Sequence, residues 1–210
     1  KEEVAENRSY FGTLQYDRIS NVSADVTGLV EEVLVEEGSR VGGGDDLVRL
    51  DTEILDKEIE LRRTRIEQIR LRIDLASKNL ERLDTLLERK AASVKNYDDA
   101  VYDYQNALTE KKAAEIELNK LLIEKRKSVI RAPYDGVILS KDIDKGDWVQ
   151  EGTVMVTIAS SRDLVVEVPV EESLLSYVGT GEQMPVIINA YQRELSGTLT
   201  RIDPRADPRT

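Results

Sequence analysis

The 210-residue chain contains no cysteine and no histidine. Disulfides, thiol nucleophiles, histidine acid–base catalysis and the commonest zinc ligand sets are thereby excluded. Aromatic residues make up only 5% of a chain that is 40% apolar, which suits thin, elongated modules better than one large globule. No apolar run approaches the roughly 20 residues needed to span a bilayer. Proline occurs five times, and neither proline nor glycine occurs between Thr52 and Val129. Nothing in that backbone forces a break.

Charge of one sign is scarce where nucleic acid would need it. The net charge is −11, with acidic flanks (residues 1–51 and 129–210) around a nearly neutral middle (52–128). Phosphate recognition requires basic patches on the surface. A nucleic-acid partner is excluded on that ground.

What is present is a long helical middle. From residue 54 to 87 apolar residues fall at Leu55, Ile59, Ile66, Ile69, Ile73, Ala76, Leu80, Leu83 and Leu87. Steps of three, four or seven trace the heptad seam of a coiled coil. The phase is lost around Arg89–Ser93, where Ser93 followed by Asn96, Asp98 and Asp99 reads as a new helix start. A serine hydroxyl caps free N–H groups, and early acids suit the positive end of the helix dipole. A second, weaker seam runs through Val94, Tyr97, Val101, Tyr104, Leu108, Leu118 and Leu122, interrupted by Lys111 and Glu115. Two antiparallel helices, about 52–90 and 93–128, are expected, each arm roughly 55 Å long at 1.5 Å per residue.

The flanks read as β-structure. Strands are expected over Leu29–Val35, Leu47–Leu50, Gly136–Ile143, Val154–Ile158, Leu164–Val170 and Pro185–Tyr191, with another near Ser9–Leu14. A short helix-like segment, Glu172–Val178, precedes the turn Gly179-Thr180-Gly181. The flanks also repeat each other. GLVEEVLVEEGSRVGGGDDLVRL (28–50) aligns without a gap on GVILSKDIDKGDWVQEGTVMVTI (136–158). Gly28/Gly136, Gly38/Gly146, Val41/Val149, Gly44/Gly152 and Val48/Val156 are shared. Gly38 and Gly146 stand where a hairpin needs positive φ. The two copies are expected to form two half-sheets over one core, neither able to bury its apolar face alone.

On these residues the chain resembles the lipoyl- or biotinyl-type β-sandwich, whose carriers join the halves at a turn bearing a modified lysine. Here the helical hairpin occupies that junction, and Lys141 and Lys145 do not match the carrier position, so no cofactor is expected. A lipoyl domain split by a hairpin resembles the periplasmic adaptor, or membrane fusion, family, and VIRAPYDGVI (129–138) looks like that family's re-entry into the second half. The fold this implies is α+β and elongated: a split lipoyl-type β-sandwich, a long antiparallel coiled-coil hairpin and part of a β-barrel domain. The corresponding segments are 1–20 (N-terminal barrel strand), 21–51 (lipoyl half 1), 52–128 (hairpin, tip near 89–93), 129–160 (lipoyl half 2) and 161–210 (barrel).

The resemblance reaches the tip. Adaptors that dock on TolC-type outer-membrane ducts carry an Arg, a Leu four residues later and a Ser seven after that, and RLDTLLERKAAS presents Arg82, Leu86 and Ser93 at that spacing. Arg82 and Leu86 share one helical face. The family resemblance implies an adaptor of a tripartite efflux pump in the periplasm of a Gram-negative bacterium. It would join an inner-membrane transporter, of the resistance–nodulation–division (RND) type first and ABC second, to a TolC-type channel. Six copies would assemble side by side, anchored to the inner membrane by a segment outside this chain. The natural protein would continue into further β-structure.

No catalytic or metal site is expected. The acid pairs Glu36-Glu37, Asp45-Asp46 and Glu171-Glu172 lie in turns or on open faces, and GGGDD (42–46) lacks the lysine and helix of a phosphate loop. The rival readings are a type I secretion adaptor, a lipoyl or biotinyl carrier, and a plain coiled-coil protein. The modest arms count against the first, the missing tip lysine against the second, and the matched β halves against the third.

Overall fold

The computed structural model describes residues 9–171, 173–174, 177–188 and 193–203. Its first strands are β1 (Thr13–Tyr16), β2 (Ile19–Ser23), β3 (Gly28–Val33), β4 (Arg40–Val41) and β5 (Asp46–Leu50). Helices α1 (Glu53–Glu88) and α2 (Val94–Lys127) follow. After them come β6 (Val129–Arg131), β7 (Gly136–Lys141), β8 (Trp148–Val149), β9 (Val154–Ser160), β10 (Leu164–Glu167), β11 (Gln183–Ile188) and β12 (Arg193–Thr198). The expected helix-like segment at 172–178 and strand at 185–191 fall in part outside the described residues. Within the former, the Leu174 and Tyr177 N–H groups donate to the Glu171 and Leu174 carbonyls, as in a helical turn.

Chain contacts divide into two units. Tyr16–Leu164 form one, and the segments before and after it form the other. In the latter, β11 pairs antiparallel with β12, and Val166 and Val168 press so closely on Gly12 that a Cβ there would meet them within 2.8 Å.

The larger unit holds two four-stranded sheets, in the orders β2-β9-β7-β4 and β6-β5-β3-β8. Each takes its two inner strands from one copy of the repeat, one outer strand (β4 or β8) from the other copy, and its second outer strand (β2 or β6) from the residues just before that other copy. Two half-sheets over one core were expected; two sheets over one core are present, and each also takes edge strands from the other half of the chain. The exchange is written in matching hydrogen bonds. Gly38 N–H donates to the Ile138 carbonyl and Gly146 N–H to that of Val30; Gly44 N–H donates to Ala132 and Gly152 N–H to Ala24. Each pair is one contact repeated at an offset of 108 residues. All four turn glycines have positive φ, between 80° and 95°.

The aliphatic residues of both halves explain why this arrangement closes. Val30, Leu47, Val48, Leu50, Ile138, Val149, Met155, Val156 and Ile158 point into one shared core, and none is more than 3% exposed. Ala24 and Ala132, equivalent in the repeat, are buried there as well. Burying such aliphatic side chains contributes about 1.5–3 kcal/mol each.

The hairpin leaves the sandwich from neighbouring strands. β5 runs into α1, α2 runs into β6, and β5 pairs with β6, with Arg49 opposite Val129. The Leu50 N–H donates to the Ser128 carbonyl between the two feet. Both helices are thus anchored at strand spacing before they separate to helix spacing.

A candidate docking surface at the hairpin tip

The seam of α1 follows the expected heptad, with Ile59, Ile66 and Ile69 buried and Ile73 packed alongside. That of α2 follows it in part: Leu118 packs on the same cluster and Tyr97, Val101 and Tyr104 are half-buried. Its buried residues are Ala100, Ala107 and Ala114, seven apart, while Val94 is 63% exposed and Leu108 and Leu122 also face solvent. Alanines opposite isoleucines let the helices approach closely, a large residue filling the space left by a small one. Register is marked by ion pairs along one flank: Arg62 with Glu117, Arg65 with Glu110 and Arg72 with Glu110. The arginines and Glu117 are about half exposed and Glu110 about a quarter, so the ion pairs favour this pairing over its alternatives more than they stabilise it.

At the far end α1 closes in a Schellman turn. The Ala91 N–H donates to the Leu86 carbonyl and the Lys90 N–H to that of Leu87. The left-handed position, where glycine is usual, holds Lys90 at φ +56°. Ser93 then begins α2, its hydroxyl oxygen accepting from the Asn96 N–H at 3.2 Å.

The three tip residues expected from the sequence lie within these last turns. Arg82 is exposed, and its guanidinium donates to the Asn79 side-chain oxygen at 2.6 Å. That partner is neutral, so the cation is oriented but keeps its charge, although Glu81, Asp84 and Glu88 are close in sequence. Leu86 is half-buried, as is Leu87, and stands one helical turn from Arg82. Ser93 is exposed across the turn, and its hydroxyl proton is left to donate outward. No hydrogen bond joins Arg82 to Ser93 among the described residues. Asn79 and Lys90 went unremarked in the sequence; an amide three residues before an arginine was the only available signal, and Lys90 gave none.

Below the tip, α1 carries an outer line at seven-residue spacing: Ile54, Leu61, Gln68, Leu75 and Arg82. Ile54, Leu61 and Leu75 are each at least 68% exposed. α2 has a counterpart in Tyr102, Thr109, Ile116 and Ile123, whose three large apolar members are exposed. Near the base, Lys125 hydrogen-bonds to Asp56 and holds its carboxyl below the usual aspartate range, against opposing desolvation. In the sandwich, the Asp144 carboxylate raises the ammonium pKa of Lys141.

The fold is a β-sandwich written as two interlocked halves, with a coiled-coil hairpin led out through their junction. Residues 18–160 match the family model for the CzcB-like, barrel-sandwich hybrid domain. The chain belongs to that family, one of membrane fusion, or adaptor, proteins. It is 30% identical over 159 residues to the membrane fusion protein MtrC of Neisseria gonorrhoeae, covering 75% of this chain and 39% of that protein. It is 26% identical over 208 residues to the nodulation protein NolF of Rhizobium meliloti, covering 99% of this chain and 57% of that one. The chain spans about half the length of the curated relatives it matches. The membrane fusion protein Spr0693 of Streptococcus pneumoniae shares the fold at a TM-score of 0.72 and 16% identity, over 95% of this chain and 84% of that one.

Proposed function

We propose that this chain is the periplasmic adaptor of a tripartite efflux pump, joining an inner-membrane transporter to a TolC-type outer-membrane duct through its hairpin tip. An RND-type transporter is favoured, with an ABC exporter second. The observation that carries the reading is the tip itself. About 44–50 Å along a 36-residue helix, near its far end, a guanidinium held by a neutral amide stands one turn from an apolar knob and across a turn from a serine hydroxyl. That set meets a helical partner with a charge-assisted hydrogen bond, an apolar contact and a neutral hydrogen bond. The two outer lines support lateral assembly. The line of Ile54, Leu61 and Leu75 on one hairpin would meet that of Tyr102, Ile116 and Ile123 on the next, closing a ring of six with all tips at one end.

These 210 residues are free of cysteine, so with any cysteine elsewhere in the full-length protein replaced by serine, a single cysteine placed at Ala92 reports on the tip alone. In cells carrying the full-length adaptor, its transporter and its duct, Arg82→Asp is expected to reduce Ala92→Cys cross-linking to the duct and to restore drug sensitivity. Cross-linking and efflux both at wild-type level would sink the docking reading.

A further inference from the structure

The apex of the hairpin carries two features that the three expected tip residues do not explain. The first is local charge. Residues 89–95 (RKAASVK) contain three cations, Arg89, Lys90 and Lys95, and no acid, in a chain whose net charge is −11. All three are exposed. The second is backbone strain placed under one of those cations. Lys90 is the only non-glycine described residue at positive φ. Every turn of the β-sandwich that needs such a conformation uses glycine: Gly38, Gly44, Gly146 and Gly152. A side chain bearing Cβ pays a steric penalty in the left-handed region that glycine avoids, and asparagine suffers it less than lysine.

Nothing within the described residues rewards the lysine. No carboxylate lies within ion-pair distance of its ammonium, and it makes no side-chain hydrogen bond there. A cation just beyond a helix C-terminus does interact favourably with the dipole, but Arg89 already stands at that end. Strain that persists without an internal partner points to an external one.

We propose that Lys90, with Arg89 and Lys95 beside it, forms a cationic cap that binds carboxylates on the end of the outer-membrane duct, and that Lys90 is its specificity-determining residue. This rests on the docking reading of Arg82, Leu86 and Ser93 and adds a separate electrostatic contact. Lys90 is exposed in the turn just past the α1 C-cap, so its ammonium is open to a partner at the apex. A charged rim of this kind chiefly raises the association rate and selects the partner, and its effect falls as salt screens it.

The test uses the purified full-length adaptor and a detergent-solubilised TolC-type duct, with binding followed from about 50 to about 500 mM salt, across which the Debye length shortens several-fold. Lys90→Asn and Lys90→Gly are expected to weaken binding about 3–10-fold at low salt, mainly in the association rate, and to flatten its salt dependence. Their melting temperatures should hold or rise, because the strain is relieved; Lys90→Arg should bind as the wild type does. If Lys90→Gly binds with unchanged rate and salt slope while Arg82→Asp does not bind, the cationic cap is wrong and the docking reading stands. If Arg82→Asp also binds normally, the docking reading itself has failed. A fall in melting temperature alongside weakened binding makes Lys90 structural and overturns the proposal. So does salt-sensitive binding to phosphatidylglycerol vesicles with none to the duct, since the cap would then serve a lipid surface.

Discussion

At the scale of single residues, the repeat looks symmetric but its demands are not. Gly28 and Gly136 are equivalent positions, yet a Cβ on Gly136 would lie 2.3 Å from the Ala159 carbonyl oxygen, which is backbone and cannot turn aside. On Gly28 the nearest atoms are the Leu50 side chain at 3.4 Å or more, an ordinary contact. Gly136→Ala is therefore expected to destabilise the sandwich by about 1–3 kcal/mol, as overpacking does, and Gly28→Ala by well under 1. Urea titrations of the two variants measure the difference, and equal losses would contradict the geometry. The sequence marked both glycines but could not rank them, because the ranking depends on a strand 23 residues away. A second residue-scale prediction concerns acid. Asp56 has a carboxyl pKa held low by the Lys125 hydrogen bond. Its contribution is present above the unfolded-state value of about 4 and is lost as pH falls through the lower folded value. A carbon-detected NMR titration should place the Asp56 midpoint below the ordinary aspartate range, and Lys125→Met should move it up; no movement would show that the ion pair is not formed in solution.

At the scale of elements, the helices show what a hydrophobic pattern can and cannot reveal. The α1 seam was legible because its core positions are isoleucine and leucine, whose spacing stands out against a charged background. The α2 seam was obscured because its core positions are alanines, which read as filler. The larger residues Val94, Leu108 and Leu122 drew the eye to the wrong face, and they are exposed. Ala107 has no exposed surface at all. Ala107→Leu is expected to force the helices apart and cost about 1–3 kcal/mol. Leu108→Ala, one position along, should cost less than 1 kcal/mol. Thermal melts of the chain, with amide exchange read along α1 and α2, would check both. If the leucine variant melted unchanged, the alanine face would not be the seam. Likewise the inner strands were legible from their branched residues, whereas β4 and β8 are two residues long and offer no period to read.

At the scale of the larger unit, the interlocked halves and the hairpin feet form one mechanical device. Because each sheet takes strands from both copies, the sandwich closes only when β6 returns beside β5, and that return brings the two ends of the hairpin together. The insertion thus costs the sandwich little: any pair of helices that comes back to its starting point satisfies the same strand pairing. Arm length is then free to be set by function, and the docking reading requires one particular length. Residues 66–72 of α1 lie across from 108–114 of α2, as the Arg65–Glu110 and Arg62–Glu117 pairs show. Deleting both heptads together keeps the a/d seam in phase, leaves Arg82, Leu86, Lys90 and Ser93 in place, and shortens the rod by roughly 10 Å at 1.5 Å per residue. The shortened protein is expected to fold, with the sandwich melting as before, and to bind an isolated duct through its intact tip. Within a cell, where transporter and duct are fixed in separate membranes, it should fail to cross-link at the tip and fail to support efflux. Deleting one heptad alone should instead break the seam register and destabilise the hairpin itself. Full efflux by the doubly deleted protein would mean that reach is not what the arm provides, and the bridging role would have to be given up even if the tip still bound.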